Sequence, residues 1–434
     1  MLGRRSFLLV TGAVGVVALV AACNRRPQPE GGTNTAASQI PAYAATLNQQ
    51  IPNVLKENGI PGAIVLIRSP DKGNWSATFG VRSIGSSEPL SMDDYLRIGS
   101  ITKSMTATVI LQLQQEGKLS ITDPISRYVP GVPNGDNITI EQLGEMRSGL
   151  FNYTDDKNFN ATIAANPDTV WTPQQLLAIA FAHPPNFAPG SQYEYNNTNY
   201  ALLGMTIEKL TESTATAALQ ARIFGPLGLR NTALPAPADS ALPDPHPQGY
   251  MWGPDFGFEG PLPEAQLRAA LAGGLKPADH TDDNPSWAWT AGGVISRADE
   301  VADFVEAMVS GRLLNDTTRQ WRLANMKPTD PSDPGGISKL GFGTYGFGIE
   351  GAGPMYGHPG NIVGFSGVAA HDPKAGTTVV ILTTVYLTPQ GGPPQNALFK
   401  PIFAQLYPEV AAQLPGGSSP APASQTSGST PPSR

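Results

Sequence analysis

Segments with the character of β-strands lie near both ends of the body of this chain, and a long region with helical character separates them. Near the start, the strand-like runs GAIVLIRS and NWSATFGVRS flank the turn signal PDKG, which predicts an antiparallel hairpin. Near the end, strand patterns return in YGFGIE, NIVGFSGVAAHDP and TTVVILTTVYL. This arrangement favours an antiparallel sheet interrupted by a helical insertion, which belongs to the α+β class.

Helical patterns at the two edges of the body define its extent. An amphipathic pattern over Ile40–Asn58 precedes the first strands, and NALFKPIFAQLY follows the last one. We therefore expect one folded body over residues 39–413, with an α/β lobe from about 39–99 and 285–413 and a mainly helical lobe over about 100–284. The junction between the two lobes is the natural place for a cleft.

Residues 1–22 have the pattern of an export signal. A basic start, RRSFLL, resembles a twin-arginine signal, and the apolar run after it is short for a hydrocarbon core of ~30 Å. The sequence VAAC resembles a bacterial lipobox, so we expect Cys23 to carry acyl chains that anchor the protein to the membrane. The alternative is a plain cleaved signal with an incidental cysteine. We expect an exported protein, lipid-anchored to the outer face of the bacterial cell membrane within the cell envelope.

Two further segments have compositions that do not support a packed core. Residues 23–38 and 414–434 are rich in Pro, Gly and small polar residues, which predicts a disordered tether and a disordered tail.

Composition excludes several classes of function. The formal net charge of −7 argues against a nucleic-acid partner, because phosphate binding needs clustered Lys and Arg. If Cys23, the single cysteine, is lipidated, a cysteine nucleophile is excluded. Apart from His358, the histidines have no zinc-like H-x-x-x-H spacing, so we expect no metal site. These histidines are His183, His246, His280 and His371.

Ser100 and Lys103 lie three residues apart at the start of a helical pattern, in RIGSITKSMTATVILQLQQEGKLS. Residues three apart share a helix face, so the ammonium of Lys103 can reach the Ser100 hydroxyl. The amides of a helix N-terminus also favour negative charge, which suits an oxyanion. Serine is equally one of the best N-caps, so this pair alone does not separate a nucleophile from a cap.

Two later motifs have side chains suited to the same chemistry. Tyr195 and Asn197 lead into a helix in GSQYEYNNTNYALLGMTIEKL, where a phenol could pass protons to a lysine and an amide could orient it. His358 and Gly360 lie in YGHPGNIVGFSG, where glycine permits close approach to the backbone and the intervening proline marks a strand start or an edge. Each motif by itself is more common as a turn or a structural feature.

The order Ser-x-x-Lys, Tyr-x-Asn, His-x-Gly resembles the serine β-lactamase-like family, specifically its class C β-lactamase, D-Ala-D-Ala carboxypeptidase and esterase branch. The resemblance implies that Ser100 is the acylating nucleophile, that Lys103 accepts its proton, and that Tyr195 is the base or proton shuttle. It also implies that Asn197 contacts Lys103 and the substrate.

The third motif completes the set that the resemblance implies. His358 takes the place where many relatives carry lysine, and Gly360 and Asn361 are expected to bind the substrate. The amides of Ser100 and Asn361 would form the oxyanion hole. Because neutral imidazole lacks a fixed positive charge, an ester or another acyl substrate becomes more plausible than a carboxylate-bearing one. A second departure is LGEMRSGL, where relatives usually read like LLTHTSGL.

The leading hypothesis is therefore a serine hydrolase that forms an acyl-enzyme on Ser100 and hydrolyses an ester, amide or β-lactam bond in a small acyl, peptide or β-lactam substrate. It requires no cofactor, and we expect a monomer. The alternatives are a D-Ala-D-Ala carboxypeptidase of cell-wall peptides and, in another class, a non-catalytic penicillin-binding-like module of the envelope.

Overall fold

A computed structural model describes residues 40–253, 260–330 and 343–412 of the chain. Several predicted features lie outside the described residues: the export signal (1–22), the tether (23–38) with Cys23, the two end residues of the predicted body (39 and 413) and the tail (414–434). Among the helices that are described, none combines the length and the hydropathy needed to cross a bilayer.

Strands from both ends of the chain share one antiparallel sheet, as the strand patterns predict. The strands are β1 (Gly62–Arg68), β2 (Trp75–Gly80), β3 (Leu96–Arg97), β4 (Tyr250–Met251), β5 (Ala278–Asp279), β6 (Ile295–Ser296), β7 (Lys327–Pro328), β8 (Thr344–Tyr345), β9 (Glu350–Ala352), β10 (Met355–Ile362), β11 (Phe365–Asp372) and β12 (Thr377–Thr383). The order in the sheet is β2-β1-β12-β11-β10-β9-β8-β7, and the short pairs β3–β6 and β4–β5 lie apart from it.

Most helices lie in the chain segment between β2 and β7, and one long helix lies at each end of the body. The helices are α1 (Ala42–Glu57), α2 (Ile101–Gln115), α3 (Ile140–Gly144), α4 (Lys157–Ala165), α5 (Pro173–Phe181), α6 (Asn197–Thr211), α7 (Ala215–Leu219), α8 (Gly225–Leu227), α9 (Glu264–Leu271), α10 (Trp289–Gly292), α11 (Ala298–Ser310), α12 (Asp316–Ala324), α13 (Pro394–Leu406) and α14 (Pro408–Ala411).

Helices cover both faces of the sheet, and alternation along β1 shows why. Ala63, Val65 and Ile67 belong to a buried cluster with the apolar stripe of α1 and with α13. Ile64 and Leu66 point the other way, into a larger cluster that includes α11 and the helices of the middle region. Because successive strand residues face opposite sides, a strand buried on both faces is apolar on both, as β1 is over its first six residues, GAIVLI.

The structure confirms the α+β class and the hairpin predicted at PDKG, since β1 and β2 pair antiparallel. It corrects the extent of several strands. The run YGFGIE is not one strand, because only its end residues, Tyr345 and Glu350, lie in strands, β8 and β9, which pair antiparallel. The run NIVGFSGVAAHDP is not one strand, because Val363 and Gly364 turn the chain between β10 and β11, and Gly364 has a φ of +86°. Strand β10 also begins at Met355, before His358, so the His-Pro-Gly motif lies inside a strand rather than at its start.

Candidate active site

Ser100 lies immediately before α2, where three elements meet. Helix α2 packs against α6, α10 and β10, and Ser100 through Leu111 are almost entirely enclosed except for the serine itself. The Ser100 side chain makes no capping hydrogen bond to the helix. Its Oγ instead accepts a hydrogen bond from Lys103 Nζ at 3.0 Å, so the nucleophile interpretation of the pair fits the geometry better than the cap.

Lys103 is fully buried and its amine is surrounded by oxygen atoms. Besides Ser100 Oγ, its Nζ contacts Asn197 Oδ1 at 2.7 Å and the Ala291 carbonyl at 2.8 Å. Burial holds the pKa of Lys103 well below its usual range, although the nearby Glu350 carboxyl acts in the opposite direction. A buried amine that loses its proton easily is suited to accept one from a neighbouring hydroxyl.

Tyr195 lies beside this pair and faces the same cleft. The Lys103 Nζ is 4.7 Å from the centroid of the Tyr195 ring. Desolvation raises the pKa of Tyr195 well above its ordinary value, and a hydrogen bond with Ser100 partly opposes that rise. The phenol therefore stays protonated and can relay a proton between the serine and a leaving group.

Asn197 is fixed in place by the segment that follows Ser148-Gly149. Its backbone N–H donates to Asn152 Oδ1 at 3.0 Å, and its Nδ2 donates to Thr154 Oγ1 at 3.2 Å. These contacts leave Oδ1 facing Lys103. The side chain of the preceding residue, Asn196, accepts a hydrogen bond from Thr198 N and caps α6, so the helix begins at Asn197.

The third motif approaches the nucleophile by its backbone. A Cβ on Gly360 would stand 2.1 Å from the Ile98 carbonyl oxygen and 3.1 Å from Ser100 N, so only glycine allows this contact. A Cβ on Gly99, whose φ is +52°, would stand 2.8 Å from Asn361 N. Strand β9 pairs with β10 only up to Gly357, which leaves the later part of this β10 edge facing the segment before α2.

His358 is the one predicted catalytic residue that the structure does not bring to the Ser100 hydroxyl. Its side chain is 1% exposed, Nδ1 donates to the Pro359 carbonyl, and Nε2 accepts from Tyr345 Oη at 3.1 Å. Burial lowers the pKa of His358 to about 3, so the ring is neutral. We therefore revise its expected role, from a group at the substrate to a neutral support whose ring centroid lies 6.2 Å from that of Tyr195.

Ser100, Tyr195, Asn197 and Asn361 line one cavity of about 240 Å³. Several of its other lining residues carry no motif and escaped the sequence analysis: Asn152, Thr154, Asp155, Trp287 and Tyr386. The first three lie shortly after LGEMRSGL in the sequence, but that position by itself indicates no role, and the other two have no local signal. In the part of the chain that the structure describes, no group of three or more His, Cys, Asp or Glu side chains could hold a metal ion.

Comparison with known proteins gives a consistent result. The family model described as Beta-lactamase matches residues 47–398. The penicillin-binding-like protein PbpX of Bacillus subtilis (strain 168) is 26% identical over 77% of this chain and 73% of its own length.

Solved structures extend the comparison to the fold. A D-stereospecific amidohydrolase from Streptomyces sp. is 31% identical, with a TM-score of 0.69 over 84% of this chain and 98% of that one. A D-amino acid amidase from Ochrobactrum anthropi SV3, at 24% identity and a TM-score of 0.67, covers 83% of this chain and 98% of its own and supports the fold alone. The chain belongs to the Beta-lactamase family, the serine hydrolase family of the β-lactamase and transpeptidase fold.

Proposed function

We propose that this protein hydrolyses an acyl bond through a covalent acyl-enzyme on Ser100. The observation that carries the proposal is the buried amine of Lys103, 3.0 Å from a serine oxygen that opens onto a cavity. A serine hydroxyl is a weak nucleophile until a neighbouring base takes its proton, and burial lowers the pKa of this amine, which favours that role.

The reaction has two stages. In the first, Lys103 accepts the Ser100 proton, Oγ attacks the substrate carbonyl carbon, and the amides of Ser100 and Asn361 receive the oxyanion. The bond to the leaving group then breaks, Tyr195 donates its phenolic proton to the departing amine or alcohol, and Lys103 passes the proton taken from Ser100 to the phenolate. In the second, water attacks the ester and gives a proton to the Lys103–Tyr195 pair, which returns a proton to the departing Ser100 oxygen, so the acid and free Ser100 are released. Losing one oxyanion donor typically costs about 2.7–4 kcal/mol of transition-state stabilisation.

The charges around the cavity favour a substrate with a free amino group. No Arg, Lys or His is among the described residues that line the cavity, whereas Asp155 is exposed to it. A substrate carboxylate would therefore meet no lining cation, while an ammonium group would meet a carboxylate. An aminoacyl amide or ester is the substrate class that fits, and the amide-cleaving activity in the name of the Streptomyces relative supports it.

A substrate panel tests the proposal against its alternatives. The panel pairs D- and L-aminoacyl p-nitroanilides and esters with nitrocefin and diacetyl-Lys-D-Ala-D-Ala. We expect turnover of aminoacyl substrates by the wild type and none by Ser100→Ala. Preference for the D-Ala-D-Ala peptide would favour the carboxypeptidase alternative. Covalent labelling by a fluorophosphonate without steady-state product would favour the non-catalytic binding module.

We further propose that the enzyme acts outside the cell, exported and anchored through Cys23. The proposal rests on the RRSFLL and VAAC segments. Expression in a bacterial host with labelled palmitate tests it: label should enter the wild type and not Cys23→Ser. Equal labelling of the two proteins would exclude Cys23 as the anchor.

A further inference from the structure

We propose that Gln395 is a positioning residue. It fixes the side chain of Asn361 and thereby the backbone amide that Asn361 contributes to the proposed oxyanion hole. The inference rests on the proposed function, because it assigns Gln395 a part in the acylation of Ser100. Gln395 lies in the first turn of α13, outside the three sequence motifs, and it does not line the cavity.

Two hydrogen bonds connect Gln395 to the cavity wall. Gln395 Nε2 donates to Asn361 Oδ1 at 2.7 Å, and Asn361 Nδ2 donates to the Tyr386 carbonyl at 2.8 Å. Asn361 belongs to β10, and Tyr386 follows β12, yet both line the cavity. The chain of amides therefore joins three separate segments at one side of the site.

The direction of this chain is fixed by its last member. A backbone carbonyl only accepts hydrogen bonds, so the Asn361 amide must direct its nitrogen to Tyr386 and its oxygen to Gln395. Gln395 must then donate. A residue that can only accept at position 395 would leave two oxygen atoms facing each other or turn the Asn361 amide away from Tyr386.

Gln395 holds this position at an energetic cost. Its side chain is 1% exposed, and its Oε1 is buried without a hydrogen-bond partner among the described residues. A buried unsatisfied oxygen is unfavourable, so an apolar side chain would suit local stability at least as well. Glutamine at this position is explained by the hydrogen bond it donates to Asn361.

The consequence for catalysis follows from the backbone contact described above. Asn361 N lies against Gly99, which precedes the nucleophile, so a displaced Asn361 would shift the proposed oxyanion donor relative to Ser100. Oxyanion stabilisation depends on donors that are in place before the reaction. Loss of the hydrogen bond between Gln395 and Asn361 should therefore lower the rate of acylation more than the affinity for the substrate.

The test compares Gln395→Met, which keeps the length without a donor, with Gln395→Glu, which presents oxygen in place of nitrogen. We expect kcat for an aminoacyl ester to fall by about 10-fold in both, less than the roughly 100-fold or more of an outright donor loss. KM should stay within about twofold, and fluorophosphonate labelling should slow in proportion to kcat. Asn396→Asp, one residue along the same helix turn, should label at the wild-type rate.

A double-mutant cycle separates positioning from general destabilisation. Asn361→Ala removes the side chain but keeps the backbone amide, so adding Gln395→Met to it should cause no further loss. Additive losses, or wild-type kcat in a folded Gln395 variant, would overturn the role of Gln395. If Gln395→Met does not fold, the polar Gln395→Glu variant decides. If the wild type itself is not labelled, the proposed function fails before the role of Gln395 is at issue.

Discussion

Lys103 illustrates how burial changes the chemistry of a single side chain. Its amine is enclosed at the base of the cleft, with three oxygen atoms within 3.0 Å. Desolvation disfavours the charged form, and for this reason its pKa lies well below the usual lysine range. The predicted base is thus explained by its surroundings and not by the Ser-x-x-Lys spacing alone.

Replacing Lys103 by arginine tests the need for a base. The guanidinium keeps its proton at any accessible pH, so it cannot accept one from Ser100. We expect kcat/KM to fall by about 10³-fold, within the range of a lost general base. Stopped-flow measurement of ester acylation checks this, with Lys56→Arg, on exposed surface of α1, as the control. Acylation within tenfold of the wild type would remove Lys103 as the base.

His358 predicts a signature in stability. Its folded pKa of about 3 lies below the ordinary value of 6.5, so the stability linked to its neutral form is present above pH 6.5 and is lost as the pH falls towards 3. His358→Asn lacks this titration. The free energy of unfolding of the wild type, minus that of the variant, should therefore decrease as the pH is lowered from 6.5 towards 3, as measured by urea titrations. Parallel curves would contradict a buried neutral imidazole.

Asp155 predicts a specificity effect. Asp155→Asn removes the only acidic side chain among the described residues of the cavity lining. We expect KM for an aminoacyl ester to rise about tenfold, the size of one charge-assisted hydrogen bond, and KM for its N-acetylated form to change little. Steady-state kinetics on the matched pair measures the difference. An equal change for both esters would exclude an ammonium site at Asp155.

At the scale of elements, the site depends on how closely β10 approaches the chain before α2. Gly360→Ala would put a carbon 2.1 Å from the Ile98 carbonyl oxygen, so one of the two backbones must move. We expect a loss of ~1–3 kcal/mol in stability and an activity loss of about 100-fold or more. Thermal melts and ester hydrolysis measure both effects.

The control for this prediction is Gly274→Ala. A Cβ there has the Ala269 carbonyl oxygen at 3.6 Å as its nearest neighbour, an ordinary contact, so stability and activity should be retained. Full activity in Gly360→Ala would show that the close approach of β10 to the Ser100 segment is unnecessary.

The elements also show where sequence patterns stop being informative. Local sequence pattern is enough to predict β1 and β2, which are runs rich in β-branched and aromatic residues, and α1, which has an amphipathic stripe. It missed the turn at Gly364, since Val363 and Phe365 are buried on either side of it and give the appearance of one apolar run. The environment of His358 was equally hidden, because Tyr345 and Glu350 reach it from β8 and β9.

For the whole molecule, the order of three short motifs indicated both the fold and the centre of the site. Ser100, Lys103, Tyr195 and Asn197 do meet, because the sheet built from both chain ends holds β10 against α2 while α6 packs beside them. Asp155, Trp287, Tyr386 and Gln395 could not be predicted, because no local pattern relates them to the nucleophile. They reach the site only through the packing of distant segments.

The proposed mechanism requires that the Ser100 hydroxyl at the base of the cleft becomes acylated. Intact-protein mass spectrometry after reaction with a fluorophosphonate or a slow aminoacyl ester tests it most directly, with peptide mapping to locate the adduct. We expect one added group per chain, on Ser100; it should be absent from Ser100→Ala and should form much more slowly in Lys103→Arg. An adduct on another residue, or none on the folded wild type, would contradict it.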